Sequence, residues 1–109
     1  MINIAIVTGA SSGMGREFAL QLNEYVQVDE IWVIARRQEA LESLKKEIAI
    51  PVRPIVLDLA DASAFTVLEQ LLQDEKPNIK LLVNAAGFGK FGAYHKVSLT
   101  EDAAMIDLN

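Results

Sequence analysis

Thr8-Gly9-Ala10-Ser11-Ser12-Gly13-Met14-Gly15 follows directly on the apolar run Ile2-Asn3-Ile4-Ala5-Ile6-Val7 and leads into a helical pattern. A strand, a glycine turn and a helix start in that order form a cradle for an anion. The first backbone N–H groups of a helix have no intrahelical partner and carry the positive end of the helix dipole. A pyrophosphate can therefore collect several hydrogen bonds there without a dedicated cation. Gly9 permits the sharp turn out of the strand, Gly13 lets backbone approach a ligand, and Gly15 lets the helix lie close to the sheet. Spacing excludes two other glycine-rich patterns. A P-loop requires Gly-Lys before Ser or Thr, which occurs nowhere in the chain, so nucleoside triphosphate hydrolysis is disfavoured. The common dinucleotide fingerprint sets its first two glycines two apart, whereas here the three stand at 9, 13 and 15.

The remaining chain alternates strands with helices. Met14 to Val26 places Met14, Phe18, Leu22 and Tyr25 three or four apart, the mark of a helix with one buried stripe. Glu30 to Ala35 is short, apolar and β-branched, and is expected as the second strand, with Trp32 in the core. Gln38 to Ile48 puts Leu41, Leu44 and Ile48 on one helical face and pairs Glu42 with Lys46 on another. Pro51 and Pro54 precede a third strand at Ile55 to Asp58, where proline suits an edge position. Asp61 can cap a third helix with the stripe Phe65, Leu68, Leu71 and Leu72, and Ile79 to Asn84 forms the fourth strand. Ser98-Leu99-Thr100-Glu101-Asp102 has the look of a capped helix start with acids in its first turn, continued by Ala104 to Asn109.

Near-continuous apolar strands separated by helices indicate an α/β fold with a parallel sheet covered on both faces, doubly wound in three layers. Right-handed crossovers favour the strand order 3-2-1-4, with the first two helices on one face and the third on the other. Ligand is then expected beyond the strand C-termini, between strands one and four. Residues 9–15 and 84–87 both fall there.

Bulk properties narrow the classes further. The 109 residues form at most one domain, and 51% hydrophobic with 23% charged residues suits a globular rather than a disordered or membrane chain. A net charge of -5 argues against nucleic acid or an anionic membrane as partner. Cysteine is absent, which excludes disulfides, zinc-thiolate sites and thiol catalysis; no metal site is expected. No apolar run reaches bilayer length and no positive flank precedes the first apolar segment, so a cytoplasmic location is expected. His95, Lys90 and Lys96 read as surface groups.

The glycine spacing, with Thr8 ahead of it, resembles the short-chain dehydrogenase/reductase family, whose first turn reads Thr-Gly-x-x-x-Gly-x-Gly. Further matches extend the resemblance over nearly the whole chain, as the N-terminal portion of a Rossmann-type domain. Where NAD-preferring dinucleotide folds carry an acid after strand two, this chain has Ala35-Arg36-Arg37. An arginine fork suits the 2′-phosphate of NADP, which is favoured here over NAD. Alternatively, both arginines are simply solvated at the start of the second helix. Asp58-Leu59 resembles the family's adenine-contacting pair, the alternative being a loop aspartate that caps local N–H groups. Asn84-Ala85-Ala86-Gly87 resembles the Asn-Asn-Ala-Gly element beside the cofactor ribose, with Ala85 in place of the second asparagine.

The resemblance thus implies cofactor contacts at Gly9, Ser11, Ser12, Gly13, Met14, Gly15, Arg36, Arg37, Asp58, Leu59, Asn84, Ala85, Ala86 and Gly87. It also implies a catalytic role for Asn109, matched to the asparagine that holds a proton-relay water in the family's fourth helix. The implied activity is hydride transfer between NADP(H) and a carbonyl or alcohol substrate. The family's serine and Tyr-x-x-x-Lys pair do not occur in these 109 residues: four after Tyr25 stands Asp29, and four after Tyr94 stands Ser98. The chain alone is therefore expected to be inactive, a fragment of a longer enzyme cut within a helix. Its fourth strand would be an exposed apolar edge, which favours a homo-oligomer. Two other outcomes remain open: a non-catalytic nucleotide-binding or sensing module, and an assembly-prone fragment that binds nothing.

Overall fold

The computed structural model describes residues 2–11, 13–85 and 99–108. Five parallel strands form one sheet in the order β3-β2-β1-β4-β5, with β1 at Asn3–Thr8, β2 at Glu30–Ala35, β3 at Val52–Val56, β4 at Asn78–Asn84 and β5 at Leu99–Asp107. Helices α1 (Gly13–Gln21), α2 (Gln38–Glu47) and α3 (Ala62–Glu75) connect the first four strands. The expected order 3-2-1-4 is present, extended by β5.

Alternation along the central strands splits the core into two layers, because successive side chains leave opposite faces of a sheet. Ala5, Val7, Ile31, Val33, Leu81 and Val83 pack with Ala19 of α1 and with Leu41 and Leu44 of α2. Ile4, Ile6, Trp32, Ile34, Ile79 and Leu82 pack with Ala64 and Leu68 of α3. Ile79 and Leu82 share a face although they are three apart. The register explains this: Ile4 pairs with Ile79 but Ala5 with Leu81, so Lys80 is an extra residue in β4 that resets the alternation.

Local departures from expectation have identifiable causes. Of the expected stripe Met14, Phe18, Leu22, Tyr25, Leu22 is buried in the 3-10 turn Leu22–Glu24 and Phe18 packs half-buried against the core, whereas the buried residues of α1 itself are Gly15 and Ala19. Met14 and Tyr25 are 63% and 64% exposed, because the helix lies so close to β1 that only small side chains fit beneath it. Phe18 stacks on Tyr25 along the outer flank, with ring centroids 5.6 Å apart. Strand β3 begins at Val52 and contains Pro54, which its edge position tolerates because an edge strand leaves N–H groups unpaired. On α2, Glu42 pairs with Lys45 at 3.6 Å rather than with Lys46. Asp61 caps α3 as expected, accepting from the backbone N–H of Ser63.

The largest correction concerns residues 99–107. They form strand β5, not a helix, and β5 lies parallel against β4. The outer backbone of β4 would otherwise present a row of unpaired N–H and C=O groups, and residues 104–107 satisfy it by pairing with residues 81–84. β4 is consequently not an edge, and the expectation of self-association through it loses its basis.

Candidate functional site

All five strands run the same way, so the loops that follow them collect on one rim. The glycine turn leaves β1 in the centre of that rim. Gly9 and Gly13 adopt φ of 65° and 59°, a region costly for residues with a Cβ. A Cβ built on Gly13 would meet nothing within 4 Å, so that side of the turn is open. Gly15 faces the opposite way: a Cβ there would stand 2.2 Å from the Gly9 carbonyl oxygen and 3.0 Å from the Ala85 Cβ. One glycine therefore keeps the cradle open and another seats the helix against the loops after β1 and β4. No acidic residue lies in the first turn of α1, which leaves its dipole available to an anion.

Thr8, whose hydroxyl joins two of these loops, was not among the expected contacts. It is fully buried, its Oγ1 donates to Asn84 Oδ1 at 2.8 Å, and the Ala85 N–H donates to Thr8 Oγ1 at 3.3 Å and to the Thr8 carbonyl at 3.2 Å. The signal in the sequence was a hydroxyl residue closing an otherwise apolar strand end. Asn84 is tied on its other side by the Leu108 N–H, which donates to its carbonyl at 2.9 Å.

On the β2 and β3 side of the turn, Arg36 and Arg37 follow Ala35 directly and are exposed. Neither guanidinium makes a hydrogen bond or ion pair among the described residues. Asp58 lies two residues beyond β3; its Oδ1 accepts from the Ala60 N–H at 3.0 Å, the local capping named above as the alternative role. Leu59 is buried in the α3-side core. Met14 lines an open groove with Glu17, Phe18, Gln21, Tyr25 and Leu108. The rim thus brings together Gly9, Ser11, Gly13, Met14 and Gly15 with Asn84 and Ala85, and sets Arg36, Arg37, Asp58 and Leu59 on one side of them. Ser12, Ala86, Gly87 and Asn109 lie outside the described residues.

A strand, a glycine turn and a helix at the middle of a parallel rim is a dinucleotide-site geometry. The family model for short chain dehydrogenases matches residues 3–109. The chain belongs to the short-chain dehydrogenase family. Among its relatives, a probable NADP-dependent dehydrogenase of Dichelobacter nodosus is 35% identical over 107 residues, covering 97% of this chain and 99% of that protein. An NADP-dependent 3-hydroxy acid dehydrogenase of Escherichia coli is 33% identical over 97% of this chain, which spans only 42% of the relative's length. Among solved structures, the L-sorbose reductase of Gluconobacter frateurii, complexed with NADPH and L-sorbose, superposes with a TM-score of 0.63 at 27% identity, covering 80% of this chain and 34% of that one. A short-chain dehydrogenase/reductase of Saccharomyces cerevisiae gives 0.64 at 22% identity, which bears on the fold alone; 87% of this chain and 41% of that one are covered. Most of these short-chain dehydrogenases are thus more than twice as long as this chain, the Dichelobacter nodosus relative being the exception. Among the described residues, no helix is long and apolar enough to cross a membrane.

Proposed function

We propose that this chain is the NADP(H)-binding part of an oxidoreductase that moves hydride between the nicotinamide and a carbonyl or alcohol. The observation that carries the proposal is the open face above Gly13, on the same rim as two guanidinium groups that have no partner among the described residues. The donor set fits the cofactor. Backbone N–H groups of residues 11–15 would hold the pyrophosphate, and Arg36 and Arg37 the 2′-phosphate. The Asp58 carboxylate and the Leu59 N–H would meet the adenine, and residues 84–87 the ribose. Two relatives whose names specify NADP support that choice.

When bound, the cofactor supplies or accepts the hydride. The chain's own work is then binding and orientation. Thr8 holds Asn84 and Ala85 against the glycine turn, so the loops meant to grip the two halves of the dinucleotide move as one piece. Asn109 is proposed to hold a relay water, but the proton itself requires a Tyr-x-x-x-Lys pair, which these 109 residues lack. That absence favours a second reading for the isolated chain, in which it binds nucleotide without chemistry.

Titration of the chain with NADPH and with NADH, followed by nicotinamide fluorescence, tests the proposal. Each lost charge-assisted contact is worth about 1.5–3 kcal/mol. Losing both contacts in the combined Arg36→Ala, Arg37→Ala variant should therefore weaken NADPH by about a hundredfold or more while barely moving NADH. Equal weakening of both would remove the 2′-phosphate role, and no binding of either would remove the proposal. Turnover of NADPH with a carbonyl by this chain alone would refute the non-catalytic reading.

A further inference from the structure

We propose that Arg16 is a positioning residue for NADP(H) selectivity: paired with Glu47, it fixes the roll of α2 and so holds the Arg36–Arg37 end of that helix in place beside the glycine turn. The inference rests on the cofactor reading given above. The Arg16 guanidinium bonds the Glu47 carboxylate across 31 positions, joining the opening turn of α1 to the last residue of α2.

Two features of the placement separate this pair from an incidental surface contact. Each charge stands at the end of its helix that disfavours it, because a cation in an N-terminal turn and an anion at a C-terminus both oppose the helix dipole. Glu47 even follows Lys45 and Lys46, whose charge suits that end. Helix electrostatics therefore account for neither residue, whereas the bond between the helices accounts for both. The second feature is what each helix carries. α1 opens on Gly13 and Gly15, and Arg37 is the N-cap residue of α2 with Arg36 just before it.

Leu41, Leu44 and Ile48 hold α2 down on the sheet. Apolar burial is non-directional, so these contacts set the depth of the helix more than its roll. A roll of about 10° moves a group about 6 Å from the helix axis by about 1 Å. That takes a guanidinium out of the narrow distance and angle range of a bidentate phosphate bond. NADH has no 2′-phosphate and makes no such demand on this end of α2. The two side chains are 28% and 48% exposed, so the pair has the strength of a surface ion pair, which limits its effect to a few fold.

The test is the ratio of NADPH to NADH affinity of the whole 109-residue chain, read by nicotinamide fluorescence for Arg16→Ala, Glu47→Ala, the two combined, and Arg16→Lys. Each of the first three should lower the ratio by about two- to fivefold with NADH affinity unchanged, the combined change doing no more than either alone. Arg16→Lys, which can still pair, should retain the wild-type ratio. A long-range charge effect would instead move the two single variants in opposite directions, since one removes a cation and the other an anion. It would leave the combined variant, whose net charge is that of the wild type, unmoved. That pattern overturns the proposal. So does a gain in NADPH affinity for Glu47→Ala, which would make Arg16 a direct phosphate ligand, and so does an equal loss of both cofactors, which would make the pair structural only. Arg36→Ala with Arg37→Ala, run alongside, separates this inference from the reading beneath it. If that variant keeps the NADPH preference, or if the wild type binds neither cofactor, the cofactor reading fails and the inference with it. A preference lost there beside an unchanged ratio in the Arg16 and Glu47 variants overturns the inference alone.

Discussion

Adding one methyl group at Gly15 tests how the site is built. The Cβ of Gly15→Ala would lie 2.2 Å from the Gly9 carbonyl oxygen, 2.9 Å from the Gly9 carbonyl carbon and 3.0 Å from the Ala85 Cβ. Two of these atoms are backbone in the turn that joins β1 to α1, so no side chain can rotate away. Either α1 retreats by about an ångström, or the turn does. Retreat would lift Ala19 and Leu22 off the sheet, where both are buried. Overpacking that moves backbone lies at the upper end of its range, about 3 kcal/mol. In a domain of this size that lowers the thermal midpoint by more than about 10 °C. Gly13→Ala is the control, because its Cβ meets open space and only its φ of 59° is unfavourable, at about 1–2 kcal/mol. Urea unfolding followed by Trp32 fluorescence gives both values. A loss for Gly15→Ala no larger than that for Gly13→Ala would refute the close-approach account.

Thr8→Val keeps the shape but removes the hydroxyl that Asn84 and Ala85 share; it should cost about 1–3 kcal/mol in urea unfolding, and an unchanged midpoint would deny the hydroxyl its linking role. Arg53 lies 4.9 Å from the Trp32 ring centroid and pairs with Glu75, so Arg53→Ala should shift Trp32 emission and cost about 0.5–1 kcal/mol; emission identical to the wild type would exclude the stacking. The Asp61 carboxyl is held below its ordinary range by the Ser63 backbone N–H and then by the Ser63 hydroxyl. Because its folded value lies below its unfolded one, its contribution is complete above the ordinary carboxylate range and disappears as pH falls through the folded value. Asp61→Ala should accordingly lower the urea midpoint at pH 7 and make no difference in strong acid, and an equal loss at both would exclude the titration.

The layers were legible in the sequence because they follow from periodicity and chain order. Ile4 to Val7, Ile31 to Ile34 and Leu81 to Val83 are apolar on both sides, which only a covered parallel strand accommodates. The glycine spacing fixed where the rim's central turn lies, since a positive φ and a missing Cβ are properties of the residue type itself.

Tertiary structure alone decided the rest. Which stripe of α1 is buried depended on the distance between helix and sheet, and hydrophobicity carries no such distance: Gly15 and Ala19 went inward and Met14 and Tyr25 outward. The bond from Thr8 to Asn84 spans 76 positions, which no local pattern can register. Residues 99–107 carry a helical signature, yet the unsatisfied edge of β4 drew them into the sheet. A backbone polar group left unpaired beside a core costs more than the few tenths of a kcal/mol per residue by which local preference distinguishes helix from strand.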